Sequence, residues 1–400
     1  MTEDSRKNRC LIILPRKIFP LIGGYANYRK NLIEILNKYY FLTIIIISNS
    51  EISDEEKYFF EANSVEYKYF TFNKLNYLFN SLKGFLFGEA LQVGYFYFRK
   101  VQKEIDKLIP NQDIVIGSLI RSMKYLEKCP KEVKVINDMA DSMSLNYKNS
   151  KKKVSSFFWR LIYTIEIKRL DKYERFWLTK ANLTTVFNAK ECNILQQYGN
   201  VIVVPHGVNK NLTSYNKINS KYAKSVVFMG KMDYQPNIDA VIWYLKNVHS
   251  KICEDVPFII VGAYPTKKLQ KLSKKYKNLT ITGFVEDPFE IVQSSMAVVS
   301  PMQTGAGIQN KILESMALGT INIITSLSAN PIVNAENNKH FIVANNSEEF
   351  INIITEIKKD SNKFEIVKKS SREFIINNYT WDAFENKYIN EIKKLCSVQT

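Results

Sequence analysis

No stretch of this 400-residue chain is long and apolar enough to span a bilayer. The densest run, FLTIIII at 41–47, falls far short of the roughly 18 to 20 residues that a spanning helix needs. The leading MTEDSRKNRC carries acidic residues and no apolar stretch ahead of a small-residue cleavage site, which predicts no secretory leader. Cysteine is scarce and scattered. Cys10, Cys129, Cys192, Cys253 and Cys396 include no C-x-x-C pair, so they read as reduced thiols of a cytoplasmic protein. His206, His249 and His340 are too dispersed for a metal site, and no D-x-D stands at a predicted strand end to clamp Mg²⁺ or Mn²⁺. The absence of G-x-x-x-x-G-K-[ST] removes the P-loop signature. Short repeats and low-complexity tracts are absent as well. Negative charge is in deficit, with 56 Lys plus Arg against 39 Asp plus Glu and a formal net charge of +17. That balance favours a polyanionic partner: nucleic acid, an anionic membrane or phosphorylated substrates.

What the chain has is apolar residues in quantity, 46% of the total, and enough length for two domains. Short runs rich in Ile and Val alternate with segments of helical period. Residues 10–14 and 42–48 are apolar on both faces, as strands covered by helices on either side must be. Between them Tyr25, Tyr28, Leu32, Ile35, Leu36 and Tyr39 recur at helical spacing, opened by Gly23-Gly24. Strand, glycine turn, helix and strand make a βαβ unit with parallel strands. Further strands are predicted at 65–71, 113–117, 133–137, 184–187 and 201–204. The polar stretch 209–222 has no apolar period and reads as a linker. A second series follows, with strands at 225–229, 257–261, 279–282, 297–300 and 321–325. Its helices are predicted near 238–253, 266–276, 287–295 and 308–318. The last helix, 381–395, has Thr380 as its cap. The expectation is an α/β chain of two Rossmann-like doubly wound domains, 1–208 and 209–375, facing a central cleft. A C-terminal helix, 376–400, is expected to pack back toward the first domain. Ligands of such sheets bind at the carboxyl ends of the strands.

Chemistry concentrates in PMQTGAGIQNKILESMALGT, residues 301–320. A strand runs into a loop with Gly305 and Gly307, and a helix begins near Ile308. Glycines permit close backbone approach, and a helix N-terminus offers unpaired N–H groups to an anion. Lys311 and Glu314 are three apart on one helix face. An ammonium there can neutralise a diphosphate, and a carboxylate can accept hydrogen bonds from both ribose hydroxyls. The same spacing also fits a plain glycine loop with a solvated Lys/Glu pair.

LESMALGT behind a glycine loop resembles the donor-binding motif of the group 1 (family four) glycosyltransferases, which have the two-domain GT-B fold. That motif usually carries two glutamates. Glu314 matches the second, and Ala306 stands where the first belongs, with the loop backbone (Gly305, Gly307, Ile308, Gln309) taking over near the sugar. VVFMGKMDYQPNIDAVIWYL resembles the first strand and turn of the family's C-terminal domain. There Gly230-Lys231 matches a Gly-Arg whose cation binds the donor pyrophosphate. The turn's second lysine is replaced near Pro236 and Asn237, so the resemblance leaves Lys311 to supply the other positive charge. IIVGAYP with Gly262, and ITGFVEDP with Gly283, Phe284 and Val285, resemble the strand ends that hold the base. VVPHGVN resembles the junction motif, with His206 where asparagine is common. PLIGGYANYRKNLIEIL resembles the loop and helix facing the donor phosphates, which implies donor contacts for Gly23, Gly24 and Arg29. NDMADSMSLNY and RSMKY resemble segments of one branch, which puts Asp138 and Arg121 on the acceptor side. Read without the family, Lys231 is an exposed loop lysine and Arg29 equally an exposed helix arginine. On the same terms Gly262 and Gly283 are turn glycines and Asp141 is a helix cap. Residues 55–110 carry no family motif.

The resemblance implies a cytoplasmic, retaining, metal-independent enzyme of the hexosyltransferase type. It would move a sugar from a nucleotide sugar to a growing surface glycan, either a capsular or lipopolysaccharide chain or a lipid-linked oligosaccharide. Catalytic roles fall on Lys231, Lys311 and Glu314, with no metal and no cofactor beyond the nucleotide-sugar substrate. A sugar-nucleotide epimerase shares the architecture but needs converging carboxylates and a histidine, which the chain does not assemble. A nucleic-acid-binding module would explain the charge but not the loop and helix, and no recognition motif is visible. Two segments, 68–103 and 148–169, interleave bases with aromatics. The second holds Lys151-Lys152-Lys153 before Phe157, Phe158 and Trp159. Such helices suit contact with an anionic membrane surface and equally suit packing on a sheet with a solvated charged face.

Overall fold

The computed structural model describes residues 7–21, 24–151, 157–252, 254, 256–304 and 307–397, excepting the side chains of 149–151 and 157–159. The chain divides into two compact units. One comprises Met1–Pro205 and Glu385–Thr400, and the other His206–Phe384.

The first unit is a seven-stranded parallel sheet of β1 (Arg9–Leu14), β2 (Phe41–Ser48), β3 (Glu66–Thr71), β4 (Ile114–Ser118), β5 (Lys134–Ala140), β6 (Leu183–Val186) and β7 (Val201–Val203). Its spatial order is β3-β2-β1-β4-β5-β6-β7, so the winding reverses between β1 and β4. Alternate residues feed opposite faces. Leu11, Ile13, Ile45, Ile47 and Val115 join Trp177 in one core, while Ile12, Ile44, Ile46 and Ile116 are buried on the other side. Each such side chain removed from water stabilises the fold by about 1.5–3 kcal/mol before the chain-entropy cost is set against it.

The second unit repeats the plan with six parallel strands. They are β8 (Val226–Met229), β9 (Phe258–Val261), β10 (Leu279–Ile281), β11 (Ala297–Ser300), β12 (Asn322–Ile324) and β13 (Ile342–Val343), in the order β10-β9-β8-β11-β12-β13. Val226, Phe228, Ile260, Val299 and Ile323 enter one core, and Val227, Met229, Ile259, Val298 and Ile324 the other. Here the reversal falls between β8 and β11.

The strands expected from the apolar runs are all present, and β13 is an addition. Its two residues are too short for any periodicity to reveal. The stretch expected as a linker, 209–222, is bonded to the second unit. Tyr215 Oη donates to Asp287, and Asn219 Nδ2 donates to Glu290. Its polar residues find carboxylate partners, which a search for apolar period does not register. Thr380 Oγ1 accepts from the Ala383 N–H, capping the helix Trp381–Ser397 as expected.

Two glycines fix the strand ends of the second unit. A Cβ on Gly262 would stand 1.8 Å from the Gly230 carbonyl oxygen, so the β8 and β9 exits approach closer than any side chain allows. Gly283, after β10, has φ +69° and open space around it. Gly283→Ala therefore costs only the left-handed backbone strain, about 1–2 kcal/mol, whereas Gly262→Ala must force two backbones apart. In thermal melts Gly262→Ala loses more melting temperature than Gly283→Ala, and the reverse order would contradict this packing.

Candidate active site

In a doubly wound sheet the crevice for a ligand opens where the winding reverses, at the carboxyl ends of the strands. In the second unit the segments at that place are the turn after β8 and the loop after β11. The turn begins with Gly230, at φ +156°, and Lys231, then enters the helix Gln235–Asn247, whose first turn carries Asn237. The loop leads through Gly307, at φ +79°, into the helix Asn310–Ala317, which presents Lys311 and Glu314.

These two segments are tied together by one side chain. Lys311 Nζ donates to Asn237 Oδ1 at 2.9 Å, and Asn237 Nδ2 donates to the Lys231 carbonyl at 2.9 Å. The ammonium also lies 4.0 Å from the centroid of the Phe228 ring and 3.4 Å from Met302 Sδ. Among the described residues no carboxylate pairs with it. Burial pulls its pKa from 10.5 down to about 7. Glu314, a turn further on, is pushed up to about 7, again by burial. Lysine and glutamate are therefore not a freely solvated pair: both are half-buried, and among the described residues no ion pair joins them. Lys231 is more open. Its Nζ stands 3.4 Å from Asp233 and 5.2 Å from the Tyr264 ring centroid.

Around this centre, Ile308 packs against the core and Gln309 Nε2 donates to Ser328 Oγ at 3.0 Å. Gly262 lies at the β9 exit beside Gly230. After β10, Val285 packs on the core while Phe284 is 81% exposed, a large ring with nothing over it. Gly23, Gly305 and Ala306 lie outside the described residues.

In the first unit the corresponding edge gathers arginines. Gly24 is the first residue of the helix Gly24–Tyr39, and Arg29 sits one turn later. The Arg29 guanidinium forms an ion pair with Asp138, at the end of β5, and both are fully buried. Tyr28 Oη and Thr185 Oγ1 also donate to Asp138, at 3.1 and 2.9 Å. Burial works against the Arg29 charge, and Asp138 together with the phenols of Tyr28 and Tyr25 more than offsets it. Asp138 is thus enclosed, positioning Arg29, whose Nε and Nη2 have no partner among the described residues. Arg121, just after β4, stacks 5.3 Å from the Phe96 ring centroid and keeps a buried Nε without a partner among the described residues. Burial and then the like charge of Arg16 pull its pKa down. Arg16, whose guanidinium lies 4.4 Å from the Tyr25 ring, was not singled out in the sequence. Its only signal there is its place in the loop leaving β1. Tyr25 also lies 5.4 Å from the Arg29 guanidinium, so it stands between two cations.

Among the described residues no three His, Cys, Asp or Glu side chains gather as a metal site would require. No helix among them is long and apolar enough to cross a membrane.

Residues 223–360, which contain Lys231, Lys311 and Glu314, match the family model described as glycosyl transferases group 1. The second unit carries a group 1 glycosyltransferase domain. Solved structures agree on the fold across the whole chain. HepE of Anabaena, crystallised with UDP, aligns at a TM-score of 0.65 and 12% identity, over 96% of this chain and 100% of that one. Sucrose-phosphate synthase of Thermosynechococcus elongatus aligns at 0.65 and 14% identity, over 98% and 100%. The chain therefore has the GT-B fold. An uncharacterized 44.6 kDa protein in the cps region of Klebsiella pneumoniae is 23% identical over 165 residues, covering 39% of this chain and 42% of that protein.

Two predictions follow from how this glycosyltransferase domain and its neighbour are charged. Between pH 7 and 10.5 the unfolded chain holds a proton on Lys311 that the folded one lacks, so this group's cost to stability is full below 7 and fades as pH rises. Between pH 4.5 and 7 the folded chain holds a proton on Glu314 that the unfolded one has lost, so that cost grows with pH and is full above 7. Near pH 7 both costs act. Lys311→Met and Glu314→Gln each raise the melting temperature of the ligand-free protein there by about 2–4 °C per kcal/mol recovered; two lowered values would contradict the burial described. In the first unit Asp138→Ala leaves Arg29 buried and unpaired. It destabilises by about 3–5 kcal/mol, read from the urea unfolding midpoint, whereas the Asp138→Leu, Arg29→Met double variant recovers most of the loss.

Proposed function

We propose that the protein transfers a sugar from a nucleotide-sugar donor to a growing surface glycan. The observation that carries the reading is the half-buried Lys311 ammonium, held by Asn237 at the reversal point of the second sheet and, among the described residues, given no carboxylate. A site that partly withdraws a cation from water without neutralising it is prepared for an anion from outside the chain. A nucleoside diphosphate fits the place, the sign and the nearby helix N-terminus. HepE, solved with UDP and with UDP-glucose, shows that the fold accepts such a ligand in a distant relative.

Lys231 and Lys311 bear on the diphosphate, and Glu314 receives the ribose hydroxyls. Gly230, Gly262 and the loop ending at Gly307 let the main chain come close. The base rests near Gly283, Phe284 and Val285. As the sugar leaves, charge builds on the departing phosphate, and both ammonium groups are in place to stabilise it. In a single-face displacement that phosphate takes the acceptor proton, which retains the anomeric configuration without a protein nucleophile. Arg121 in the first unit serves the acceptor, and the relative in a cps region supports a surface glycan as its class.

Lys231→Ala and Lys311→Met each lower transfer by tenfold or more, since a charge-assisted contact contributes about 1.5–3 kcal/mol. Unchanged turnover in both would overturn the assignment, as would epimerisation of the donor with no acceptor present. Transfer persists in excess EDTA, and NMR of the product shows the donor's anomeric configuration; loss in EDTA or inversion contradicts those parts of the reading. The diphosphate selects the charged form of Lys311. Affinity for UDP therefore weakens as pH rises from about 7 to 9, and Lys311→Met flattens that dependence. Calorimetry at several pH values checks both statements.

A further inference from the structure

The largest exposed apolar surface grouped on one element of the described chain is the helix Lys74–Leu86, in the segment without a family motif. One face of this helix is seated. Tyr77 and Ser81 are buried, and Gly84 passes so close to Gly94 that an added Cβ would stand 3.1 Å from the Gly94 Cα. Asn80 Nδ2 donates to the Tyr97 carbonyl and Ser81 Oγ to the Leu91 carbonyl. The orientation is therefore fixed, and the other face is not a loosely docked core.

That outward face consists of Leu75, Leu78, Phe79, Leu82 and Leu86, each between 53% and 83% exposed, followed by Phe87. With about 100° of turn per residue, the five fall within an arc of about 100°. Lys74 lies just outside one edge of the arc and Lys83 just outside the other, both exposed. The helix contains no Asp or Glu. A soluble surface of this kind buries such a stripe or breaks it with charge. Here it is flanked by lysines, whose long stems let the heads rise beside an apolar layer.

We infer that this face docks on a lipid bilayer bearing anionic headgroups, with the leucines and phenylalanines entering the acyl boundary and the lysines meeting the headgroups. The charge is complementary on two scales: the helix has only cations, and the chain has a formal net charge of +17. The neighbouring helix Phe157–Lys180 continues the theme. Its Arg169 donates to the Phe85 and Glu89 carbonyls, tying it to the end of the docking helix, and its Arg160, Leu161 and Lys168 are exposed. Both segments, 68–103 and 148–169, suit membrane contact by sequence, the second through Lys151-Lys152-Lys153. The structure assigns it to the first, while Lys152 and Lys153 and the side chains of Lys151, Phe157, Phe158 and Trp159 lie outside the described residues. The inference stands without the sugar-transfer reading, because nothing in it uses the second unit.

The test is co-sedimentation of the full chain with vesicles of phosphatidylcholine alone and of phosphatidylcholine with phosphatidylglycerol. The wild type pellets with the anionic vesicles and less with the neutral ones. Leu78→Ser, Phe79→Ser, Leu82→Ser in one chain lowers binding by at least about tenfold. Its melting temperature and UDP response stay unchanged, because these side chains support no core. Lys74→Glu with Lys83→Glu removes the preference for anionic vesicles. Equal, negligible pelleting with both vesicles, or a triple variant that still binds as the wild type does, overturns the inference. So does a concentration-dependent dimer in sedimentation velocity that the triple variant abolishes, which would make a second copy of the chain the occupant.

Discussion

An ammonium group drawn partly out of water needs a partner, and among the described residues Lys311 has only an amide oxygen, an aromatic face and a thioether. These contacts hold the side chain in place without neutralising it. The amide of Asn237 faces both ways, accepting from Lys311 and donating to the Lys231 carbonyl, so one neutral residue locks the two loops at the sheet's reversal point. The close approach of Gly230 and Gly262 fixes the floor beneath them. On the proposed reading, a diphosphate arriving there meets a cation whose partial desolvation has already been incurred in folding.

The two units solve the same electrostatic problem in opposite ways. In the first, Asp138 sits under Arg29 and pairs with it, with Tyr28 and Thr185 completing the carboxylate's shell. The charge is satisfied internally, and the pair serves geometry. In the second, the carboxylate nearest in sequence, Glu314, does not pair with Lys311, and burial drives the two pKa values toward each other. Charge paired within the chain fits a scaffold role, and charge left unpaired marks a candidate binding site. The exposed leucine stripe on Lys74–Leu86 is a third kind of incompleteness, apolar rather than charged, and it has the same reading: surface kept for something outside the chain.

Much of this was legible in the order of residues, for identifiable reasons. Strands covered on both sides must be apolar throughout, so CLIIL and LTIIII declare themselves; Ile342–Val343 is too short to do so. The glycine loop before NKILES fits a solvated Lys/Glu pair on spacing alone, and it pointed to a candidate site only through its likeness to the family's donor-binding motif. What the residues could not show was side-chain direction. Asp138 follows a strand whether it faces a ligand or, as here, Arg29. Asn237 reads as a missing lysine until its amide is seen between two loops. Arg16 carries no motif at all. The period of KLNYLFNSLKGFL announces an amphipathic helix, but which face is covered depends on Gly84 meeting Gly94, a contact between segments that no local pattern contains.

The most direct measurement is a pH titration of Lys311 by NMR, following its Cε and Nζ signals without and with UDP. The account predicts a midpoint near 7 in the free protein, moving upward when the diphosphate binds. A midpoint at the ordinary lysine value in the free protein, or one that UDP leaves where it was, would contradict it.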